Sequence, residues 1–330
     1  MPRNAVTPDD IAAALVRISR WITTTPLELT DVFGPRIAVK AEHLQRTRSF
    51  KIRGALNKLC TLTDGERRGG VISASTGNHG VAVATAGRLL EVPVTVIVSR
   101  STDSTIVDRL RRLGAVVDRV ASEDPVDAER TARKRADQLG CPFVSPYNDP
   151  DVIAGQGTVA IELIDQLAGV GWDGLDAVVV AVGGGGLISG IATWLDHVAP
   201  DVEVVGASPA NDAAMAASVA AGAIVEPGAQ PTLSHSTAGG IEADAVTFPL
   251  CQQLVDRWIR VPEVDIAAAV RTMAFHEHQL VEGAAGVALG AAAQAAKASP
   301  DHRVAAISCG ARLTPTELSA TLCAAANSPD

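Results

Sequence analysis

The stretch Val178-Val179-Val180-Ala181-Val182-Gly183-Gly184-Gly185-Gly186-Leu187 joins an uninterrupted apolar run directly to four glycines. The apolar run predicts a buried strand, and the segment 187–198 that follows it predicts a helix. Glycines at such a turn let the backbone approach a ligand closely, and the N-terminus of a helix favours an anion. A flexible turn is the alternative interpretation. Because four glycines lose much conformational freedom when they are ordered, the pattern favours a phosphate-binding site.

Strands and helices alternate on both sides of this turn, which predicts an α/β protein with parallel sheets and right-handed crossovers. The predicted strands are 37–40, 71–74, 94–98, 178–182, 203–206 and 304–307, and the short apolar pairs 116–117 and 143–144 flank the helix predicted at 127–139. The predicted helices are 7–21, 79–90, 104–113, 127–139, 156–167, 187–198, 210–221, 264–280 and 284–298, with further helices beginning near Ser49 and Thr314. The glycine spacing fits neither the dinucleotide fingerprint nor the nucleoside-triphosphate loop.

The stretch Ser49-Phe50-Lys51-Ile52-Arg53-Gly54-Ala55 places a lysine in the first turn of a predicted helix. We expect Ser49 to be the N-cap of this helix, because the apolar residues after Lys51 recur at helical spacing. The positive end of the helix dipole disfavours an ammonium ion at Lys51, and a neutral amine can attack a carbonyl carbon. A solvated surface lysine is the alternative interpretation.

The loop Ser75-Thr76-Gly77-Asn78-His79-Gly80 ends another predicted strand and opens another helix. Its hydroxyls, amide and backbone N–H groups suit a carboxylate or a phenolic oxygen. An ordinary capped turn explains the same residues equally well. His79 taken alone indicates a packed helix residue, and the spacing of His276 and His278 argues against a metal site.

Composition excludes several classes of protein. A formal net charge of −9 and an aromatic content of 3% argue against nucleic-acid binding. The five scattered cysteines indicate a reducing compartment, and the start of the chain lacks a signal pattern. Glycines interrupt the longest uncharged run, 177–195, so it does not predict a membrane span. We therefore expect a cytoplasmic protein.

Together these motifs resemble the signatures of pyridoxal-phosphate enzymes of fold type II, in the threonine/serine dehydratase and serine racemase group. The resemblance covers about Thr24 to Arg312 and includes the stretch Asp149-Pro150-Asp151-Val152-Ile153-Ala154-Gly155-Gln156-Gly157-Thr158. The segment Glu282-Gly283-Ala284-Ala285-Gly286-Val287 looks closer to the branch of hydroxyectoine-utilisation and phenylserine dehydratases.

The resemblance implies roles for the matching positions. Lys51 would bond covalently to the aldehyde of pyridoxal 5'-phosphate and, once released, act as the base at the substrate Cα, with Phe50 beside the ring. Asn78 would bind the phenolic oxygen of the cofactor. The phosphate would be bound by the backbone of Gly183, Gly184, Gly185, Gly186 and Leu187. The substrate would be bound by the loop residues Ser75, Thr76, Gly77, Asn78 and His79.

Cys309 would face the pyridine nitrogen, where the family usually has serine, and Ser308 is the alternative if the alignment shifts by one residue. Either is a neutral partner, which weakens the electron sink and favours β-elimination over transamination. Thr76 stands where related racemases carry a serine, and the bulkier side chain argues against racemisation. Ser208 and Ala214 stand where some relatives have acidic cation ligands, so we predict no metal. We also expect no regulatory domain and no control by isoleucine.

The sequence thus predicts two open, twisted parallel-sheet α/β domains with the active site between them. The large domain would comprise 1–69 and 148–330, and the small domain 70–147. The predicted activity is a dehydratase that converts a β-hydroxy-α-amino acid (serine, threonine or phenylserine type) to a 2-oxo acid and ammonia. The alternatives are a racemase or β-replacement enzyme of this fold, a nicotinamide-dependent dehydrogenase and a non-catalytic amino-acid-binding protein. A small-molecule amino acid and a second copy of the chain are the expected partners.

Overall fold

Two sheets organise the chain, for which a computed structural model describes residues 6–323. The strands are β1 Leu27–Thr30, β2 Ile37–Lys40, β3 Val71–Ala74, β4 Val94–Val98, β5 Val116–Arg119, β6 Ala177–Ala181, β7 Glu203–Pro209, β8 Arg257–Val261 and β9 Val304–Ile307. One sheet has the order β1-β2-β9-β6-β7-β8 and the other β3-β4-β5. Only the β1–β2 pair among these is antiparallel, so the structure confirms the parallel α/β prediction.

Helices connect these strands. They are α1 Pro8–Ile18, α2 Lys51–Thr61, α3 Asp64–Gly69, α4 Asn78–Leu90, α5 Ser104–Arg112, α6 Pro125–Leu139, α7 Pro150–Gln166, α8 Gly186–Val198, α9 Ala214–Ala221, α10 Thr247–Leu254, α11 Glu263–Phe275, α12 Gly283–Ala298 and α13 Pro315–Cys323. Short 3₁₀ turns lie at Glu42–Leu44 and Leu167–Val170. None of these helices combines the length and apolar character that a membrane crossing requires.

The predicted elements and the observed ones differ mainly at sheet edges and helix starts. The structure confirms the interior strands, but β1 and β8, which form the two edges of the large sheet, were not predicted. The prediction of a helix from 156 was also wrong, because α7 starts at Pro150. The Asp149 side chain caps it by accepting hydrogen bonds from the backbone N–H groups of Asp151 and Val152, at 2.8 and 3.2 Å.

Three helices pack very closely because glycines lie where they meet. A Cβ on Gly155 of α7 would lie 2.6 Å from the carbonyl oxygen of Arg53 in α2. A Cβ on Gly157 of α7 would lie 2.8 Å from the carbonyl oxygen of Gly190 in α8. No side chain fits at either position, so α7 lies in direct backbone contact with both neighbours. This packing fixes the N-terminal ends of α2 and α8 relative to each other.

A buried ion network joins α2 to α7 and to β2. The guanidinium of Arg53 lies 2.7 Å from carboxylate oxygens of both Glu42 and Glu162, and Lys40 Nζ lies 2.7 Å from Glu162. Arg53, Lys40 and Glu42 are fully buried. Although burial opposes the charge, the two carboxylates raise the pKa of Arg53 above its usual value. The network holds α2 in one position, because each charge is paired where water cannot reach it.

Ser49 is not the N-cap of α2, which corrects the prediction. The cap position is Phe50, whose backbone is helical and makes no side-chain cap, while the Ser49 hydroxyl is buried without a hydrogen-bond partner in residues 6–323. Ser49 instead forms an isolated antiparallel bridge with Gly310. The start of α2 is therefore set by a contact with the segment after β9.

We expect Arg53→Ala to lower the free energy of unfolding by about 3–5 kcal/mol, because it leaves the buried carboxylate of Glu42 without its ion-pair partner and removes one of the two partners of Glu162. Urea unfolding followed by circular dichroism measures the change. Arg100→Ala is the matched control, since the Arg100–Glu123 pair is two-thirds exposed and we expect its loss to cost less than about 1 kcal/mol. Equal stability losses in the two variants would contradict the structural role of the network.

Candidate active site

The glycine turn forms a tight loop between the end of β6 and the start of α8. Gly185 has φ +85°, a left-handed conformation that favours glycine. A Cβ on Gly183 would lie 2.9 Å from the backbone of Thr237, and one on Gly186 would lie 3.0 Å from Tyr147. Within residues 6–323 no group accepts a hydrogen bond from the backbone N–H groups of 183–187. The loop therefore presents unpaired donors at a helix N-terminus, an arrangement that binds phosphate.

Lys51 is the first residue of α2, and its amine reaches the cavity that the glycine loop lines. Its Nζ donates a hydrogen bond to the carbonyl oxygen of Pro146 at 3.0 Å and lies 5.1 Å from the centre of the Phe50 ring. The Phe50 N–H donates to the carbonyl oxygen of Cys309 at 3.1 Å, and the buried Cys309 lines the same cavity. The contact between the start of α2 and the segment after β9 thus places the Lys51 amine and the Cys309 thiol on the same cavity.

Burial sets the protonation states of three groups around this cavity. It lowers the pKa of the Lys51 amine to about 8, although the nearby Cys309 and Glu282 oppose the shift. Burial and the Glu282 carboxylate raise the pKa of the Cys309 thiol well above its usual value. Burial and Lys51 lower the pKa of His79 to about 3. Near neutral pH the thiol and the imidazole are therefore uncharged, and the lysine loses its proton more readily than a free lysine.

A second cavity, of about 190 Å³, adjoins the first and shares Lys51 with it. One wall of it is the loop between β3 and α4, where the Gly77 N–H donates to Ser75 Oγ at 3.0 Å. Three backbone N–H groups of this loop have no acceptor within residues 6–323: those of Thr76, Asn78 and His79. Such a set of donors suits a carboxylate.

The structure brings the predicted site residues together around these two cavities. The first is lined by Phe50, Lys51, Asn78, Gly183, Gly184, Gly185, Gly186, Leu187 and Cys309. The second is lined by Lys51, Ser75, Thr76, Gly77, Asn78 and His79. Ser308, the alternative to Cys309, is fully buried and lines neither cavity. The His79 imidazole lies 2.9 Å from the carbonyl oxygen of Val144, as expected for a packed helix residue.

Sequence reasoning missed several residues that line the cavities. Glu282, only 5% exposed, accepts hydrogen bonds from Asn78 Nδ2 at 3.0 and 2.8 Å and a further one from the Ser236 hydroxyl. Tyr147, the one tyrosine of the chain, packs on Gly184 and Gly186. An acid directly before a glycine-rich helix and a unique tyrosine were available signals. Ser236 lies in a loop that carries no such signal.

A third cavity, of about 520 Å³, adjoins both of the others, because it shares Glu129 with one and Tyr147 with the other. It is lined largely by α6 and by the loop before α10. No lysine lines it, so it lacks the amine on which the predicted chemistry depends.

The chain belongs to the pyridoxal-phosphate-dependent enzyme family, because the model of that family, described as "Pyridoxal-phosphate dependent enzyme", matches residues 18–310. It is 36% identical over 292 residues to an L-threonine ammonia-lyase of Thermotoga maritima, covering 87% of this chain and 71% of that protein. It is 32% identical over 308 residues to a beta-hydroxyaspartate dehydratase of Paracoccus denitrificans, covering 92% of this chain and 95% of that protein.

Solved structures share the whole architecture. The processed form of threonine deaminase isoform 2 from Solanum lycopersicum superposes with a TM-score of 0.87 at 30% identity, covering 97% of this chain and 94% of that one. Serine racemase from Dictyostelium discoideum superposes with a TM-score of 0.85 at 29% identity, covering 94% of this chain and 99% of that one. The fold is thus that of fold type II pyridoxal-phosphate enzymes, and the predicted family and cofactor are confirmed.

The residues present fit this cofactor. A phosphate needs a loop without side chains and with unpaired N–H groups, and residues 183–187 provide both. An aldehyde needs an amine that deprotonates readily, and Lys51 lies on the same cavity with a lowered pKa. A pyridine nitrogen with a neutral partner fits the protonated thiol of Cys309.

We expect the Lys51 amine of the cofactor-free protein to titrate at about pH 8, because burial disfavours its charged form. Acylation by a water-soluble anhydride, read at each lysine by peptide mass spectrometry, should rise at Lys51 as pH increases through about 8. N-acetyl-lysine amide in the same reaction is the control, with a midpoint at about 10.4. A Lys51 midpoint as high as that of the free amine would show that burial does not lower the pKa of this residue.

Proposed function

We propose that the chain eliminates water from a β-hydroxy-α-amino acid of the serine, threonine or phenylserine type, and that hydrolysis of the resulting enamine takes up one water and yields a 2-oxo acid and ammonia. The observation that carries the proposal is the position of Lys51, which lines both the cavity with the glycine loop and the cavity with the Ser75–His79 loop. One amine can therefore reach both a phosphate-bearing aldehyde and an amino-acid substrate. The dehydratase names of several relatives support the same reaction.

Each residue has a proposed task in this reaction. Pyridoxal phosphate, when bound, supplies an aldehyde and a ring that stabilises negative charge at the substrate Cα. Lys51 would hold the cofactor, and its amine, with a pKa of about 8, is well matched to taking the proton from the substrate Cα. The backbone N–H groups of residues 183–187 would bind the phosphate, and Phe50 would pack beside the ring.

The substrate carboxylate is bound by the N–H groups of the loop from Ser75 to His79, which orients the Cα proton towards Lys51. Asn78, whose Nδ2 donates to the Glu282 carboxylate, would bind the phenolic oxygen of the cofactor. Cys309 would be the partner of the pyridine nitrogen, and it would be a neutral thiol because burial raises its pKa. A neutral partner favours loss of the β-hydroxyl over transamination.

We also propose the large and small domains defined by 1–69 with 148–330 and by 70–147. The strands β3, β4 and β5 all fall inside the proposed small domain, and the other strands outside it, which supports the division. Residues 1–5 and 324–330 of the proposed large domain lie outside the described residues. The proposal further includes a cytoplasmic homodimer without a bound metal.

A racemase or β-replacement enzyme of the same fold is the second candidate, because serine racemase shares the architecture. Thr76 lines the substrate cavity where related racemases place a serine, and its branched side chain has less rotational freedom. The family membership removes the basis for a nicotinamide-dependent dehydrogenase. A chiral product assay, with and without an added thiol, separates the candidates of this class.

We expect the holoenzyme to release equal amounts of ammonia and 2-oxo acid from members of a panel of β-hydroxy amino acids. Lys51→Ala should lower kcat by about 10³-fold or more, because it removes the nucleophile and the base together. The exposed Lys134 provides the control, and Lys134→Ala should stay within about twofold of wild type. An active Lys51→Ala protein, or an enantiomer formed without ammonia, would refute the dehydratase assignment.

A further inference from the structure

The substrate cavity contains a cation that the proposed mechanism does not use. Arg312 lies a few residues beyond the carboxyl end of β9 and lines the 190 Å³ cavity together with Lys51. Its guanidinium packs on Gly77, because a Cβ at that position would lie 2.8 Å from Arg312 Nη2. The guanidinium therefore lies beside the loop proposed to bind the substrate carboxylate.

This guanidinium has no carboxylate partner among residues 6–323. Glu129, which lines the same cavity, lies 3.0 Å from Arg133. Glu282 accepts a hydrogen bond from the Arg312 backbone N–H at 3.0 Å, but it forms no ion pair with the side chain. Arg312 Nε is buried and has no hydrogen-bond partner in the described part of the chain. A buried N–H donor of a charged group destabilises the protein unless a ligand accepts a hydrogen bond from it.

A second arginine lies near Arg312 but outside the cavity. Burial and the nearby guanidiniums of Arg312, Arg112 and Arg48 lower the pKa of Arg109. Because Arg109 does not line the cavity that contains Lys51 and Arg312, it carries a nearby positive charge without access to a ligand there.

We propose that Arg312 binds a second, side-chain carboxylate of the substrate, so that the preferred substrates are β-hydroxy dicarboxylic α-amino acids such as 3-hydroxyaspartate. The α-carboxylate already has three unpaired backbone donors in the loop Thr76–His79, which leaves the guanidinium for another anion. A guanidinium forms two parallel hydrogen bonds with a carboxylate, and this geometry distinguishes it from a hydroxyl or methyl group. The inference rests on the proposed dehydratase function and specifies its substrate class.

The kinetic test compares 3-hydroxyaspartate with serine on the holoenzyme. The wild-type protein should have a higher kcat/KM for 3-hydroxyaspartate. Arg312→Gln should lower this value by about 10²-fold, mainly through KM, and change kcat/KM for serine by less than about threefold. Arg312→Lys keeps the positive charge but lacks the paired N–H donors of a guanidinium. Its kcat/KM for 3-hydroxyaspartate should lie between the values of the wild-type protein and of Arg312→Gln. Arg109→Gln is the matched control, because Arg109 does not line the cavity, and it should keep the wild-type preference.

A binding test needs no turnover. Succinate carries two carboxylates and no amine, so calorimetry on the holoenzyme should show tighter binding of succinate than of butyrate. Arg312→Gln should remove this difference, whereas Arg109→Gln should retain it.

Equal losses for 3-hydroxyaspartate and serine in Arg312→Gln would overturn the proposal, since the guanidinium would then serve the α-carboxylate or the fold. A wild-type preference for serine, or equal binding of succinate and butyrate, would overturn it as well. If no β-hydroxy amino acid released ammonia, the proposed function would fail, and the succinate measurement would still decide the role of Arg312.

Discussion

The direct backbone contact of α7 with α2 and α8 is the constraint on which the site depends. Gly155 and Gly157 leave no space for side chains between these helices, so the three axes have one relative arrangement. Lys51 begins α2 and Gly186 begins α8. The helix between them therefore sets the distance from the amine to the glycine loop. The ion network around Arg53 adds a penalty for any rotation of α2, because a displaced helix would leave charges buried and unpaired.

Burial controls the chemistry of the groups that this packing brings together. It moves the pKa of Lys51 down and that of Cys309 up, so a base and a neutral donor exist side by side near neutral pH. Burial also keeps His79 uncharged, so the loop between β3 and α4 carries no positive charge from this side chain. Arg312 differs from these groups, because a guanidinium keeps its charge in any such environment. This lasting charge is the reason that we propose Arg312 as the partner of a second substrate carboxylate.

The sequence predicted the parts of the fold that depend on local pattern. Interior strands such as β4 and β6 are apolar along their whole length, and both were found within a residue of their observed bounds. The edge strand β8, Arg257–Val261, has arginines at two of its five positions and lacks that pattern. The start of α7 was missed because Gly155 and Gly157 are unfavourable in a helix, although Asp149 and Pro150 signal its true beginning. Ser49 is a good cap by composition, but the pairing with Gly310 overrides it.

In the site, too, the sequence indicates the residues that belong to local motifs and not those that depend on tertiary contacts. Lys51, Asn78 and the four glycines lie at the ends of predicted elements, in motifs that carry the family resemblance, and that resemblance implied their roles. Glu282, Ser236 and Arg312 come from segments distant in sequence and meet only in the folded chain. Their roles depend on which groups already have partners, and a sequence does not contain that information.

The role of Lys51 is tested most directly by borohydride reduction of the holoenzyme followed by peptide mapping. We predict that the reduced cofactor is attached to the peptide that contains Lys51, because only this amine shares a cavity with the glycine loop among the described residues. Attachment to another lysine, such as Lys40 or Lys58, or no attachment at all, would contradict it.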